Sequence, residues 1–182
     1  MHVQLWIFLA ASLLIAAISH RSLIRPASHG FARFFLFEII LWLLIRNAGR
    51  WFDHPFSAHQ ITSWFLLLVS IYLVVSSIHA LHHAGRTRHP GDQALFRFEE
   101  TAELVQSGPY RYVRHPMYGS LLFLAAGAAL KQPDLTSLAL LVAAAATAMW
   151  VARREEKENE RFFGSRYTDY MMRTRRFIPF FW

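Results

Sequence analysis

The stretch GPYRYVRHPMYGSLLFLAAGAAL, Gly108–Leu130, changes character half-way along. Its first twelve residues, Gly108 to Gly119, hold two prolines, three tyrosines, two arginines and a histidine, whereas the eleven that follow carry no charge. Proline is tolerated in the first turn of a helix, where its missing N–H has no partner in any case, and it pushes the preceding residue out of the helical region. Pro116 is therefore expected to start an apolar helix, with His115 just outside it. Gly108-Pro109 imposes a turn upstream.

Working outward, the uncharged run from His115 to Leu130 is 16 residues long, and KQPD at 131–134 leads into a second apolar run of 18 at 135–152. Two such runs across a four-residue polar turn predict a helical hairpin. Residues 1–20 contain no Asp, Glu, Lys or Arg, and residues 54–85 form an uncharged run of 32 with its apolar heart at Ile61–Leu81. Between them, FARFFLFEIILWLLIR at 31–46 is apolar except for its basic ends and Glu38. A spanning helix needs about 20 mainly apolar residues. The expectation is an all-α, polytopic membrane protein with about five transmembrane helices, and a single membrane-embedded domain over 1–182. Three N-terminal membrane helices occupy 1–83, and a second half occupies 100–182. The first apolar run lacks a basic leading region and a clear cleavage site, so it is read as a retained helix.

Composition agrees. Charged residues make up 17% of the chain, well below the roughly 25% of a soluble domain, and 54% is hydrophobic. There is no cysteine, which removes disulfides, thiolate metal sites and a cysteine nucleophile. The net charge of +7 and isoelectric point near 10.4 follow from membrane topology rather than nucleic-acid binding. With five helices, 16 of the 19 Lys and Arg residues fall on one side, leaving Arg46, Arg50 and Lys131 on the other. The positive-inside rule then puts the N-terminus away from the cytoplasm and the Gly108–Gly119 knot and C-terminal segment in it.

The knot has the parts of an anion site. A helix start offers free N–H groups and a partial positive charge, here from Met117, Tyr118 and Gly119, with Arg114 and His115 beside them. Gly119 would allow a ligand close to the backbone. The structural alternative is that Arg114 reaches lipid phosphate while the tyrosines form an interfacial belt. The second constellation is RREEKENERFFG, Arg153–Gly164, in which Glu155 and Glu156 follow directly on the last apolar run and Glu160 lies one turn beyond Glu156. A hairpin puts the start of one helix and the end of the next on the same side, so these carboxylates can face the knot. A ligand carrying both a carboxylate and a cation suits that pair. The helix is expected to continue past the membrane to a break at Gly164, with an aromatic tail after Pro179. A short surface helix is expected at Phe96–Leu104.

GPYRYVRHPMY, an apolar hairpin, and EEKENERFFGSRYTDYMMRTRRFIPF together resemble the C-terminal half of the membrane-embedded methyltransferases that include isoprenylcysteine carboxyl methyltransferase and the phospholipid N-methyltransferases. The resemblance covers about residues 100–180. Arg114, His115, Pro116 and Tyr118 match that family's Arg-His-Pro-x-Tyr block, Glu155-Glu156 its paired glutamates, and Gly108, Pro109 and Tyr110 the turn before the block. Phe163-Gly164, Tyr167 and Tyr170 match its closing pattern. The resemblance implies S-adenosylmethionine bound at the cytoplasmic membrane surface and a lipophilic acceptor entering from the bilayer; the Arg- and Ala-rich, cysteine-free composition suggests that the membrane is a prokaryotic inner membrane. No protein partner and no nucleic acid is expected. The helix start with Arg114, His115, Pro116, Met117 and Gly119 suits the cofactor's carboxylate, Glu156 or Glu155 its ammonium, and Tyr118 and Tyr110 its sulfonium or adenine. A lipid-amine acceptor needs a proton acceptor, for which Glu155, Glu156 and His115 are candidates. An isoprenylcysteine-like carboxylate needs a positive partner such as Arg153 or Arg154.

Two other chemistries compete. A membrane reductase of the sterol-reductase type would hold NADPH on the same scaffold, but its extra phosphates call for more basic residues than the paired glutamates leave. HALHH, His79–His83, has the spacing of a membrane di-iron histidine box. Its nearest companion, His54–His59, falls on the opposite side, so no metal site is expected. Glu38 either lines an acceptor cavity or pairs with a histidine or serine of a neighbouring helix.

Overall fold

Each apolar run forms a helix. The computed structural model describes residues 2–24, 29–83 and 103–179. Its helices are α1 (His2–Leu23), α2 (His29–Asn47), α3 (Ala58–His83), α4 (Pro116–Ala129), α5 (Leu135–Phe163) and α6 (Ser165–Arg173), with 3₁₀ turns at Ala48–Arg50 and Gly108–Arg111. Of the surface helix expected at Phe96–Leu104, only Glu103 and Leu104 are among the described residues, and they are not helical. The aromatic tail after Pro179 lies outside the described residues.

Three of these helices, α1, α3 and α5, are long and apolar enough to cross a membrane. The other two expected spans differ for separate reasons. α4 has 14 residues, about 21 Å at 1.5 Å per residue, because Pro116 fixes its start and the 131–134 turn its end. α2 has 19 residues but includes Arg33, Glu38 and Arg46. Glu38 is tied to α1 by the Ser12 hydroxyl, which donates to Oε2 at 2.5 Å. It therefore pairs with a neighbouring helix's serine and does not line the cavity described below.

α2 packs against α1, α4 and α5, and α4 also against α3 and α5. Leu36, Ile40 and Leu43 of α2 meet Ala125, Ala128 and Ala129 of α4 and Ala144, Ala148 and Ala152 of α5 in one buried cluster. Small side chains let helix backbones approach where lipid supplies no hydrophobic drive. α4 comes close to α3 at Gly127, where a Cβ would stand 2.8 Å from Leu67 Cγ. There the Ser63 hydroxyl donates to the Gly127 carbonyl at 2.7 Å, and Ser70 donates to the Ser120 carbonyl at 2.8 Å.

The hairpin turn is fixed by polar groups. Asp134 caps α5 by accepting from the Ser137 N–H at 2.7 Å and pairs with Arg46. Asn47 donates to the Ala128 carbonyl at 2.8 Å. Lys131 is buried, donates to Gln60 Oε1 at 2.9 Å and lies 3.5 Å from the centre of the Trp64 ring. At the other end α5 runs on past its apolar part. Its 29 residues extend about 43 Å against roughly 30 Å of hydrocarbon, and the polar extension ends where Gly164, at φ +59°, turns the chain into α6.

Candidate active site

A cavity of about 720 Å³ opens where α2 and α4 begin, α3 ends and α5 leaves the apolar layer. Its framework is a short parallel pairing of two segments distant in sequence. Val113 and Arg175 form a parallel bridge, in which the Arg175 N–H donates to the Tyr112 carbonyl at 3.0 Å, Arg114 to the Arg175 carbonyl at 2.7 Å and His115 to the Arg176 carbonyl at 3.0 Å. The segment after α6 is thereby strapped onto the knot. Tyr170 strengthens this by donating to the Tyr110 carbonyl at 2.6 Å. Burial holds the phenols of Tyr167 and Tyr170 well above their ordinary pKa, so both remain neutral donors.

Glu156 is the hub of the strap. Arg114 Nε donates to its Oε1 at 2.9 Å, and Arg176 donates to Oε2 at 2.6 Å and to Oε1 at 3.1 Å. The carboxylate beside it raises the Arg176 guanidinium pKa further. Arg114 also donates to the carbonyls of Met171 and Thr174. The Glu156 side chain is only 6% exposed, so this is a buried charge cluster whose members satisfy one another.

Glu155, one residue earlier, faces the cavity. It accepts from the Tyr118 hydroxyl at 2.7 Å, and its Oε1 is 3.7 Å from His115 Nδ1. The His115 ring is 2% exposed, with Nε2 3.4 Å from Glu156 Oε1. That approach lacks hydrogen-bond geometry, leaving Nε2 a buried polar atom with no hydrogen-bond partner. Such atoms are rare without a ligand or water to complete them.

Of the expected site residues, Tyr110, Arg114, His115, Met117, Tyr118 and Glu155 line the cavity, while Pro116, Gly119, Glu156, Arg153 and Arg154 do not. Two geometric expectations are corrected. The Gly119 N–H is not free, because it donates to the His115 carbonyl at 2.9 Å as the first closed turn of α4. Nor does Gly119 make room for a ligand. A Cβ there would meet the Phe177 carbonyl at 3.3 Å, so the space admits the C-terminal strap. Arg154 lies over the Trp150 ring at 4.7 Å, and Arg153 is exposed.

The sequence reading missed the contribution of α2. His29, Arg33 and Phe37 line the cavity together with Glu158 and Asn159, and His29 Nδ1 meets Glu158 Oε2 at 2.5 Å. Glu158 and Asn159 had a local signal, being three and four residues beyond Glu155 on one helix face. His29 had none. In the suggested histidine box, the rings of His79 and His83 lie against each other at a 45° tilt, their centres 4.1 Å apart. Among the described residues no group of three His, Asp or Glu side chains is arranged to hold a metal ion.

The profile of the phospholipid methyltransferase family matches residues 58–166. The chain belongs to that family. No curated protein and no solved structure matches it. The matched part of this phospholipid methyltransferase family member begins with the first residue of α3 and ends just past Gly164, so it contains the knot, the hairpin and both glutamates. α1 and α2 lie outside it, and so do the α2 side chains that close the cavity. Transfer of methyl groups, lipid-like substrates and residence in a membrane all follow from the family and the apolar helices.

Proposed function

We propose that this protein uses S-adenosylmethionine to methylate the amine headgroup of a lipid at the cytoplasmic membrane surface. The observation that carries the reading is the continuity of one cavity, with a polar floor of His115, Tyr118 and Glu155 and an apolar wall of Phe37, Val74, Leu81 and Leu121. Such a space suits a polar cofactor meeting an amphiphile. The cofactor fits the donor set: the His115 imidazole, which lines the cavity, suits its carboxylate, and Glu155 suits a cation. Arg114 is already engaged by Glu156, so it orients the floor.

When bound, S-adenosylmethionine supplies a methyl group on a positively charged sulfur. An amine acceptor must lose its proton before its lone pair attacks, and Glu155, which lines the cavity and is held by the Tyr118 hydroxyl, is a carboxylate able to take it. For such a transfer the chain's own contribution would be to orient the acceptor over the polar floor, hold the released proton on Glu155 and exclude water. Glu103, Glu155 and Glu158 line the cavity beside Arg33, Arg114 and Arg161, and an amine acceptor is favoured over a carboxylate because Glu155 can take its proton and the matching profile is that of phospholipid methyltransferases.

Calorimetric titration of the detergent-purified protein with S-adenosylhomocysteine, and with NADPH in parallel, tests the cofactor. Saturable binding of the first alone is expected, and binding of NADPH alone would overturn the reading. Transfer of labelled methyl to phosphatidylethanolamine, with a prenylcysteine as competitor acceptor, tests the acceptor. Labelling of the prenylcysteine alone would overturn the amine assignment.

A further inference from the structure

A second depression, of about 250 Å³, shares no residue with the first and is lined by Arg111, Tyr112, Met172, Arg173, Arg175 and Pro179. It lies on the outer side of the same strap. Arg175 and Arg176 are neighbours in sequence with opposite fates: Arg176 turns inward to Glu156, and Arg175 turns outward into the depression. Three exposed arginines thus border one small depression. Among the described residues no carboxylate forms an ion pair with any of them. Arg173 donates only to the backbone carbonyl of Asp169 at 3.2 Å, and Arg111 lies 5.9 Å from the centre of the Tyr112 ring.

Like charges gathered on one small surface repel one another, weakly in water and more strongly where lipid lowers the dielectric, and an anion among them relieves that. The arginines of the inner face solve that problem with Glu156, and among the described residues no carboxylate does so for those of the outer face. The rest of the surface is apolar: Met172 is 72% exposed, Tyr112 53% and the adjacent Ile178 45%. Large exposed apolar side chains beside a cationic pocket match an amphiphile with an anionic head rather than a free, fully hydrated anion.

We propose that this depression is a binding site for the phosphate headgroup of an anionic phospholipid, separate from the cavity where methyl transfer takes place. Guanidiniums bind phosphate oxygens through paired N–H donors, and Tyr112, Met172 and Ile178 lie against the glycerol and upper acyl chain. Bound there, the lipid pins α6 and the strap to the bilayer surface.

The test is native mass spectrometry of the full-length protein released from detergent with dioleoyl phosphatidylglycerol, dioleoyl phosphatidylcholine or glycerol 3-phosphate. One tightly held phosphatidylglycerol, in preference to phosphatidylcholine, is expected. The triple variant Arg111→Gln, Arg173→Gln, Arg175→Gln should weaken it by roughly a hundredfold, since a basic side chain at an anionic surface is worth about a fivefold change. Elution profile and melting temperature show whether the triple variant folds, and Arg175→Gln alone, expected to weaken binding about fivefold, serves if it does not. Equal retention of the two lipids, or undiminished phosphatidylglycerol in the variants, would overturn the site. Glycerol 3-phosphate binding as tightly as the lipid would overturn the headgroup assignment in favour of a free anion.

Discussion

Replacing Glu156 by glutamine keeps the shape of the side chain and removes the charge that two guanidiniums share. In the native arrangement three charge-assisted hydrogen bonds of 2.6–3.1 Å converge on its two oxygens. Water cannot take over easily, because the Arg114 side chain is 9% exposed and that of Arg176 23%. Removing one partner of a buried charge pair costs about 3–5 kcal/mol, most of it from the charge left behind. For a chain of this size that corresponds to a fall in melting temperature of roughly 6–20 °C. Thermal melting in detergent measures it, and limited trypsin digestion locates it, since a loosened strap exposes the bonds after Arg173, Arg175 and Arg176. Adding Arg176→Gln to Glu156→Gln should cost less than the two single changes together, because one uncompensated charge is then gone. A melting temperature within about 2 °C of the native protein's, with unchanged digestion, would refute the reasoning, for it would mean that the cluster is solvated and each pair has the small value of a surface ion pair.

Three further outcomes are expected. Gly127→Ala should destabilise the α3–α4 contact by about 1–3 kcal/mol, as overpacking does, and Leu67→Ala should recover part of that loss in the melting temperature, because the added Cβ meets Leu67 first. Arg46 and the Ser137 N–H hold the Asp134 carboxyl at a pKa of about 2, below its ordinary 3.8. This contribution is complete above about pH 4 and is lost as the pH falls through 2, so Asp134→Asn should flatten that acid limb of a stability–pH curve. Tyr118→Phe removes the 2.7 Å bond to Glu155 and should lower methyl transfer to a lipid amine about tenfold or more while changing stability by only about 1 kcal/mol; equal activity would remove Tyr118 from the chemistry.

What could be read from the sequence was local. Pro116 starts α4 and Gly164 ends α5, because each depends on the residue's own backbone chemistry: a missing N–H and a φ of +59°. The two halves of the cavity floor could also be matched, since a hairpin turn leaves little choice of side. The strap could not. Val113 finds Arg175, and His29 finds Glu158, only after five helices have packed, and neither pairing leaves a spacing to detect. Gly119 shows the same limit from the other direction. A small residue at a helix start signals that something comes close, and only the packed structure shows that it is the Phe177 carbonyl.

Glu155 and Glu156 show why adjacent identical residues on a helix need not share a role. Successive side chains on a helix point about 100° apart, so once α5 packs its alanines against α2 and α4, one carboxylate must turn toward the strap and the other toward the cavity. The strap-facing Glu156 fixes His115 in two ways at once. Its Oε1 lies 3.4 Å from the ring, and its grip on Arg176 holds the carbonyl that accepts the His115 N–H. The cavity-facing Glu155 bonds Tyr118, three residues further along α4, and so meets the same helix start from the other side. Arg176 is therefore coupled to the floor although it does not line the cavity. Its loss would shift His115 through the backbone, a path by which the C-terminal strap controls the geometry of a site built from α4 and α5.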